Sequence, residues 1–232
     1  MMNLDRFLAV YDTVPPAYYR WMLDLLRPHL RSPVLEIGSG PGIVTRLLLD
    51  GGWAVTGLDC DKAAAERLSQ MLGDREGFSM LEADATQTWL GGLPGAPFAT
   101  VLCLNVLEHV SDDLGFLKNL YGALAPGGNA LVLVPAHPCL FGPLDEEFGH
   151  FRRYRRRDLE RLMSLAGFRC QVRPFNLLGA AGWWWRFKVL KRKDFSTSQN
   201  RIYAGILPLA RALEAFVRIP TGLSLIAVGE KD

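Results

Sequence analysis

The stretch of sequence that decides the fold is Val34-Leu35-Glu36-Ile37-Gly38-Ser39-Gly40-Pro41-Gly42. In it, a short apolar run typical of a buried strand ends in three glycines at alternate positions, and a helical pattern over 41–50 follows. This order lets the backbone turn tightly and lets a ligand approach the main chain closely. The free N–H groups at the start of such a helix suit an anionic or carboxylate group. The stretch therefore predicts a ligand-binding unit of strand, loop and helix.

Two features of this glycine loop argue against a dinucleotide. The dinucleotide fingerprint places its third glycine one residue later, where this chain has Ile43. Glu36 stands just before the loop, and a carboxylate there repels a pyrophosphate but attracts an ammonium or sulfonium group. The loop fits a zwitterionic amino-acid ligand better than a dinucleotide. A dinucleotide-dependent oxidoreductase is therefore the weaker alternative.

Strand and helix patterns alternate along the rest of the chain. Apolar runs predict strands at 33–38, 53–59, 77–84, 98–105, 129–136, 168–175 and 223–230. Helical periodicity falls between them at 41–50, 61–72, 111–124 and 157–168. Alternation of this kind predicts an α/β fold in which helices cover both faces of a largely parallel sheet.

Composition narrows the class of protein. The chain has 232 residues, 49% of them hydrophobic and 22% charged, which excludes a disordered or collagen-like polypeptide. No apolar run reaches the length of a membrane-spanning helix, and the first residues lack the layout of a signal peptide, so we expect a cytoplasmic protein. The four cysteines lack CxxC spacing, and no other group of residues has metal-ligand spacing, so no metal site is predicted.

Two acidic residues end the second and third predicted strands. Asp59 comes 21 residues after Gly38, where a carboxylate usually binds a ribose diol. Asp84 ends the next strand, where it can accept a hydrogen bond from an adenine amine. Each residue alone is also typical of a helix N-cap. Together with Glu36, they place three carboxylates at successive strand ends that face one crevice, which favours a nucleoside ligand.

These motifs together resemble the class I S-adenosylmethionine-dependent methyltransferases. The resemblance rests on E-x-G-x-G-x-G, on the acidic ends of the second and third strands, and on the segment Leu104-Asn105-Val106-Leu107-Glu108-His109-Val110. It covers residues 33–136. It implies a Rossmann-like, doubly wound, mostly parallel seven-stranded sheet, to which the run 223–230 contributes an antiparallel strand. The implied cofactor is S-adenosyl-L-methionine.

The resemblance also implies which residues hold the cofactor. The glycine loop lines the methionine end, the second-strand aspartate binds the ribose, the third strand end holds the adenine, and the segment after the fourth strand lies beside the sulfonium. The cofactor-binding residues predicted on this basis are Glu36, Gly38, Ser39, Gly40, Gly42, Asp59, Cys60, Asp84, Ala85, Asn105 and Leu107. The expected organisation is one methyltransferase domain, 1–232, with an N-terminal helical cap (1–32), a cofactor-binding core (33–175), an insertion or lid (176–220) and a last strand (221–232).

The acceptor side is expected after the fifth strand, over the same crevice. There the segment Gly149-His150-Phe151-Arg152-Arg153-Tyr154 is similar to one that borders the acceptor in quinone O-methyltransferases. The whole stretch, with the closing Pro220-Thr221-Gly222-Leu223-Ser224-Leu225, is closer still to a bacterial subgroup often encoded among glycosyltransferases. The resemblance implies methyl transfer, on oxygen, to a small-molecule or lipid-linked acceptor.

Methyl transfer to oxygen needs an in-line approach to the sulfonium and usually a base that takes the acceptor's proton. Histidine suits that task because its reference pKa is near neutrality. We predict His150 and His109 as catalytic residues, with Tyr154 beside them. The alternatives are a structural contact of His150 to Asp145 or Glu147, and a hydrogen bond of His109 at a helix start. An amine or an acidic hydroxyl would need no base at all.

Charge is split unevenly along the chain. Residues 1–150 carry 9 Lys and Arg against 18 Asp and Glu, whereas residues 151–232 carry 17 against 6. The basic part contains an arginine run at 152–157 and Trp183-Trp184-Trp185, followed by Lys191-Arg192-Lys193. One interpretation is that these groups bind an anionic acceptor and contact an anionic membrane surface, on the inner face of the membrane. The other is that the arginines pair with the acidic part and the tryptophans pack as a lid.

Two further classes of function are compatible with the cofactor loop. An RNA methyltransferase would use the basic part of the chain. Against it, the chain has no appended RNA-binding module and no Asn-Pro-Pro-aromatic segment after the fourth strand, so nucleic acid is not the expected partner. A cofactor-binding scaffold without catalysis is the other class. The sequence does not indicate an oligomeric state.

Overall fold

The computed structural model describes residues 14–185, 197–217 and 219–232, and seven strands form one sheet within them. The strands are β1 (Val34–Ile37), β2 (Val55–Asp59), β3 (Phe78–Glu82), β4 (Phe98–Leu104), β5 (Leu124–Pro135), β6 (Arg169–Phe175) and β7 (Ser224–Glu230). Their order in the sheet is β3-β2-β1-β4-β5-β7-β6. The pairings among β1 to β5 are parallel, and β7 runs antiparallel to β5 and β6. The predicted α/β class, the mostly parallel seven-stranded sheet and its antiparallel strand are confirmed.

One α-helix of the described residues precedes β1, and the others occupy the connections between strands. The helices are α1 (Pro16–Leu26), α2 (Ile43–Asp50), α3 (Lys62–Leu72), α4 (Asp113–Ala123), α5 (Pro143–Glu147), α6 (Arg156–Leu165), α7 (Leu177–Trp184) and α8 (Thr197–Phe216). The N-termini of α3 and α4 show why these helices begin where they do. The carboxylate of Asp61 accepts hydrogen bonds from the N–H groups of Ala63 and Ala64, and that of Asp112 accepts one from Gly115. Such side chains satisfy backbone donors that the first helical turn leaves free.

Alternation of side chains along the strands builds a core on each face of the sheet. Leu35 and Val101 belong to one buried cluster, which the apolar sides of α4 and α6 cover. Their neighbours Val34 and Leu102 belong to the opposite cluster, which α1, α2 and α3 cover. Because both faces are covered, ligands bind such a sheet in the crevice outside the carboxyl ends of its strands. The strand order reverses between β1 and β4, and a doubly wound sheet opens its crevice at this point.

The described part of the predicted insertion 176–220 consists mainly of the helices α7 and α8. In α8, Leu207 and Ala210 are buried in the same cluster as α1. The carboxylate of Glu214 accepts hydrogen bonds from the backbone N–H groups at the start of α7, at 3.2 and 2.7 Å. These contacts fasten α8 to the body of the protein. The basic run at 191–193 and the first 13 residues of the predicted cap lie outside the described residues.

No helix in the described ranges combines the length and the apolar character that crossing a membrane requires.

Candidate cofactor and acceptor site

The glycine loop between β1 and α2 needs its glycines for two separate reasons. Gly38 and Gly42 have φ values of +74° and +73°, a left-handed conformation that other residues adopt at a cost. There is also no room for side chains. A Cβ built on Gly38 would lie 2.6 Å from Cγ2 of Val106, and one on Gly42 would overlap Leu68. The loop therefore presents bare backbone, as the sequence predicted.

Asp59 at the end of β2 is tied directly to this loop. Its Oδ2 accepts a hydrogen bond from the N–H of Gly40 at 2.8 Å, and its Oδ1 accepts one from the N–H of Asp61 at 2.9 Å. The two bonds fix the carboxylate at the crevice between β1 and β2. A carboxylate has about four lone-pair positions, so each oxygen keeps capacity for a ligand hydroxyl.

Glu36 is a buried acid beside the loop. It is 4% exposed, and its Oε2 accepts a hydrogen bond from the hydroxyl of Thr45 in α2 at 2.6 Å. Burial raises the pKa of Glu36 to about 7, although the hydroxyls of Thr45 and Ser39 oppose the shift. A carboxyl group held in this way costs little to keep neutral and becomes a strong partner for a cation that enters the crevice. Sequence reasoning missed Thr45, since threonine in a helix carries no functional signal.

The cleft over the loop has a wall that sequence reasoning also missed. The N-terminal helix α1 contributes Tyr18, Tyr19 and Met22 to the same cleft that Glu36 and the glycine loop line. Asn105 at the end of β4 lines it from the other side, in a left-handed conformation with φ of +54°. Its N–H donates to the carbonyl of Leu133 in β5 at 2.9 Å, which fixes the turn. The N-terminal cap therefore reaches the predicted methionine end of the site.

The predicted adenine end lies after β3. The Oδ1 atom of Asp84 accepts hydrogen bonds from both the N–H and the hydroxyl of Thr86, at 2.8 and 2.7 Å, so the carboxylate opens a turn. Ala85 is buried, and its carbonyl accepts a hydrogen bond from the Asn119 side chain in α4 at 3.0 Å. Cys60 directly follows β2, and partial burial of its thiol, together with the charge of nearby Asp59, raises its pKa. These three residues lie at adjacent strand ends, as expected.

Two predicted site residues belong to the core instead of the cleft surface. The side chain of Leu107 is fully buried in the cluster that α4 covers. Tyr154 is 4% exposed, and its hydroxyl donates towards the carbonyl of Leu107 at 3.3 Å and the carboxylate of Asp113 at 3.2 Å. Burial, together with the charge of Asp113, raises the pKa of Tyr154 far above its ordinary value. The structure thus gives Tyr154 a packing role and offers only the backbone of Leu107 to a ligand.

His150 is held by a buried ion pair beneath it. Its Nδ1 lies 2.9 Å from Oδ1 of Asp145, which also accepts a hydrogen bond from Nε of Arg153 at 2.7 Å. Burial by itself raises the pKa of Asp145, but the bonds from His150 and Arg153 outweigh burial and bring that pKa below its usual value. The contact to Asp145 that the sequence offered as an alternative is present. It orients the ring and leaves Nε2 of His150 pointing elsewhere.

On the side away from Asp145, His150 meets two neighbouring residues that are distant from it in sequence, Glu108 and His109. Its ring lies edge-on to that of His109, with centroids 4.7 Å apart, and its Nε2 lies 4.0 Å from Oε1 of Glu108. One ligand atom from each of the three residues falls within 4.8 Å of the others. We call Glu108, His109 and His150 the histidine–glutamate cluster. In the sequence, no group of residues with metal-ligand spacing was found, and Glu108 was not identified as a site residue. The reason is that only the fold brings position 150 next to positions 108 and 109.

The electrostatics of this cluster are unusual. Glu108 is 1% exposed, and among the described residues neither of its carboxylate oxygens has a hydrogen-bond partner. Burial raises the pKa of Glu108 to about 8. Burial together with the neighbouring His150 lowers the pKa of His109 to about 4, so its imidazole is neutral at pH 7. A buried polar group without a partner costs free energy, and its presence in a native structure points to a ligand or a function.

Two arginines of the run 152–157 pair with acids of the N-terminal part. Arg152 pairs with Asp113 at 2.7 Å, and Arg153 pairs with Asp145. The guanidinium of Arg153 also lies 4.7 Å from the ring centroid of Trp183. For these arginines the structure favours pairing with the acidic part over binding of an anionic acceptor. Trp183 stacks over the ion pair beneath His150, as the lid interpretation expects.

The donor set of the cleft fits S-adenosyl-L-methionine. Bare backbone at the glycine loop accommodates a close ligand, the buried acid Glu36 suits an ammonium group, and Asp59 is fixed where a ribose diol would lie. Asp84 and Ala85 stand at the next strand end for a purine. When bound, the cofactor would supply the activated methyl group.

Comparison with curated proteins finds relatives that match part of this chain. The ubiquinone biosynthesis O-methyltransferase of Paramagnetospirillum magneticum is 34% identical over 106 residues, which are 45% of this chain and 41% of that protein. The protein of the same name from Pseudomonas aeruginosa is 31% identical over 101 residues, 43% of this chain and 42% of the relative. The chain thus spans about two fifths of the length of these relatives.

Solved structures share the fold across nearly the whole chain. An S-adenosylmethionine-dependent methyltransferase from Archaeoglobus fulgidus superposes with a TM-score of 0.62 at 16% identity, covering 94% of this chain and 95% of its own. The N-methyltransferase NodS from Bradyrhizobium japonicum, in complex with S-adenosyl-L-homocysteine, gives 0.61 at 17% identity, covering 98% and 96%. At these identities the likeness is one of fold.

The family comparison covers the site itself. The model of the methyltransferase domain family matches residues 13–171, which include the glycine loop, the three strand-end carboxylates and the histidine–glutamate cluster. The chain therefore belongs to the methyltransferase domain family, as the motifs around Gly38–Gly42 indicated.

Proposed function

We propose that this protein is an S-adenosyl-L-methionine-dependent methyltransferase. The observation that carries the proposal is the assembly of Glu36, the bare glycine loop and Asp59 at one crevice, locked by the bond from Gly40 to Asp59. In the same crevice, α1 closes the methionine end and Asn105 stands at the end of β4. Each group matches one part of the cofactor, so a single ligand accounts for all of them.

We propose a hydroxyl oxygen of a small molecule as the methyl acceptor. The support is the similarity to ubiquinone biosynthesis O-methyltransferases, and the position of Glu108 and His109 shortly after β4. Asn105 lines the cofactor cleft, and Glu108 follows it by one helical turn. The cluster would receive the acceptor hydroxyl. Asp145 acts through His150 as a positioning residue.

We further propose that the small-molecule acceptor is linked to a lipid. In α8, the side chains of Ile206, Leu209, Leu213 and Phe216 recur at helical spacing and are exposed, with Phe216 at 91%. Trp184 and Trp185 at the end of α7 are also more than half exposed. We propose that this apolar stripe of α7 and α8 rests on an anionic membrane surface of the cytoplasmic side, with the chain as a peripheral protein.

Calorimetry with S-adenosyl-L-homocysteine tests the cofactor assignment. We expect a dissociation constant in the micromolar range, and a separate titration with NADH should give no heat of binding. Tight binding of NADH without a response to S-adenosyl-L-homocysteine would contradict the assignment. Failure of both ligands to bind would contradict it as well.

A transfer assay with the labelled methyl group of S-adenosyl-L-methionine tests the acceptor. Hydroxylated aromatic compounds and a hydroxyl-bearing lipid extract serve as acceptors, with RNA as the contrasting substrate. We expect label in the hydroxyl compounds, and loss of at least tenfold in kcat in His150→Ala with unchanged cofactor affinity. The matched control is His29→Ala, because His29 lies on the turn Arg27–His29 away from the cluster. Label in RNA alone would overturn the acceptor proposal.

Sedimentation with anionic liposomes tests the membrane contact. We expect Phe216→Ser with Leu209→Ser to lose most of the bound fraction seen for the wild type at low salt, because burial of apolar side chains drives interfacial binding. The control is Leu165→Ser, which removes an exposed leucine from α6. Equal binding by all three proteins, or none by the wild type, would refute the membrane contact and favour a lid over a soluble acceptor.

A further inference from the structure

Buried carboxylates normally have hydrogen-bond partners, and among the described residues the carboxylate of Glu108 has none. The side chain of Glu108 is only 1% exposed. The charge of Arg153 acts on this carboxylate, but its guanidinium is bonded to Asp145 at 2.7 Å. An ionised carboxylate in such a place requires a positive partner or coordination of a metal.

Both histidines beside Glu108 have a supporting hydrogen bond. Nδ1 of His150 is bonded to the carboxylate of Asp145, which leaves Nε2 on the side of Glu108. The ring of His109 is bonded to the carbonyl of Gly149. Metal-ligating histidines characteristically donate their second nitrogen to a carboxylate or to a backbone carbonyl, which fixes the ring and its tautomer. The cluster shows both kinds of support.

We propose that the histidine–glutamate cluster binds a divalent transition-metal ion such as Zn²⁺, with Glu108, His109 and His150 as ligands. The donor set of two imidazoles and one carboxylate is one that Zn²⁺ and Fe²⁺ accept with further positions open. Tetrahedral coordination at bond lengths of about 2.0–2.1 Å separates ligand atoms by about 3.3 Å. The atoms here lie within 4.8 Å of one another, so side-chain movements of about 1 Å complete the site.

Of the three residues, His109 is exposed, and the cluster follows closely in sequence on Asn105, which lines the cofactor cleft. An ion there has a coordination position for an oxygen ligand. In the methyl transfer proposed above, on which this step alone rests, that ligand is the acceptor hydroxyl. The ion lowers the pKa of the bound hydroxyl, whose proton passes to solvent water, and the resulting oxygen is the better nucleophile.

Metal binding is measured directly on the whole chain of 232 residues. The protein is stripped with a chelator, mixed with Zn²⁺ or Co²⁺ and passed through a desalting column, and the metal content and the visible absorption of Co²⁺ are recorded. We expect about one ion per chain with nitrogen and oxygen ligands, and loss of at least a hundredfold in affinity in Glu108→Gln, His109→Ala and His150→Ala. Asp145→Asn should weaken binding by about 10–100-fold, as loss of a supporting hydrogen bond does.

Controls separate this site from other outcomes. His29→Ala should bind the ion like the wild type, and circular dichroism checks that each variant is folded. Cys60 and Cys139 are exposed, so a sulfur-to-cobalt charge-transfer band would place the ion at a cysteine and overturn the proposal. So would a stripped wild type that retains no ion, or ligand variants that bind normally. Binding of S-adenosyl-L-homocysteine to the stripped protein is tested separately, so either proposal can fail while the other stands.

Discussion

The raised pKa of Glu36 predicts that cofactor affinity depends on pH. Burial brings this pKa from 4.5 to about 7, so in the free protein the carboxyl group is half neutral at pH 7. The proposed site places the ammonium group of the ligand beside it, and a cation favours the ionised form. Binding must therefore lower the pKa of Glu36 and release a proton.

The magnitude follows from the titration of the free protein. With a pKa of about 7, Glu36 is ionised in about one tenth of the molecules at pH 6 and about nine tenths at pH 8. If only the ionised form binds the ligand well, the affinity for S-adenosyl-L-homocysteine rises about tenfold over this interval. At pH 7 the binding of one ligand should release about half a proton.

Calorimetry in two buffers of different ionisation enthalpy measures both quantities. The protein without metal is titrated with S-adenosyl-L-homocysteine at pH 6, 7 and 8. Glu36→Gln, which keeps the shape of the side chain and an acceptor for Thr45, should bind more weakly at pH 8 and show no tenfold rise. A wild type with a flat or falling affinity from pH 6 to 8 would refute the reasoning, as would a slope that survives in Glu36→Gln.

The raised pKa of Glu36 also predicts how the free energy of unfolding depends on pH. A carboxyl group whose pKa is raised on folding stabilises the fold fully below its unfolded pKa of 4.5, and this contribution is lost as the pH rises through 7. A shift of this size corresponds to about 3 kcal/mol. We therefore expect ligand-free Glu36→Gln to be more stable than the wild type at pH 8 but not at pH 4.5, in urea unfolding. Equal pH profiles for the two proteins would contradict the assignment of this pKa.

The sheet and the cofactor half were predictable because their signals are local. The run 33–42 carries a buried strand, glycines with left-handed φ values and a helix start within ten residues, and each has a steric cause. Asp59 and Asp84 could be placed because the carboxyl ends of parallel strands share one edge of a sheet. In this half, the observed strands and helices differ from the predicted ones only at their ends. For example, β5 begins at Leu124, whereas the sequence predicted a start at 129.

The acceptor half was less predictable because it depends on contacts between distant segments. Nothing local to His150 shows that its ring meets Glu108, which is 42 positions away, and nothing in α1 shows that Tyr18 reaches the glycine loop. The burial of Tyr154 was unpredictable for the same reason. An aromatic residue between arginines suits a surface or a core equally well, and its hydroxyl turns inward because Leu107 and Asp113 accept its hydrogen bond there.

Three substitutions test the remaining structural assignments. Asp59→Ala should weaken binding of S-adenosyl-L-homocysteine at least tenfold by calorimetry, because charge-assisted hydrogen bonds contribute about 1.5–3 kcal/mol. Tyr154→Phe should lower the free energy of unfolding by about 1 kcal/mol and leave the cofactor affinity unchanged, since its hydroxyl is bonded inside the core. Gly42→Ala should cost about 2–4 kcal/mol in urea unfolding, because the left-handed φ of +73° is strained for alanine and the new methyl group would overlap Leu68. The matched variant is Gly52→Ala, whose φ is +85° but whose Cβ would meet nothing within 4 Å, so it should lose only about 1 kcal/mol. The difference between the two variants isolates the overlap with Leu68, and equal losses would show that the loop does not pack against α3 as the structure has it.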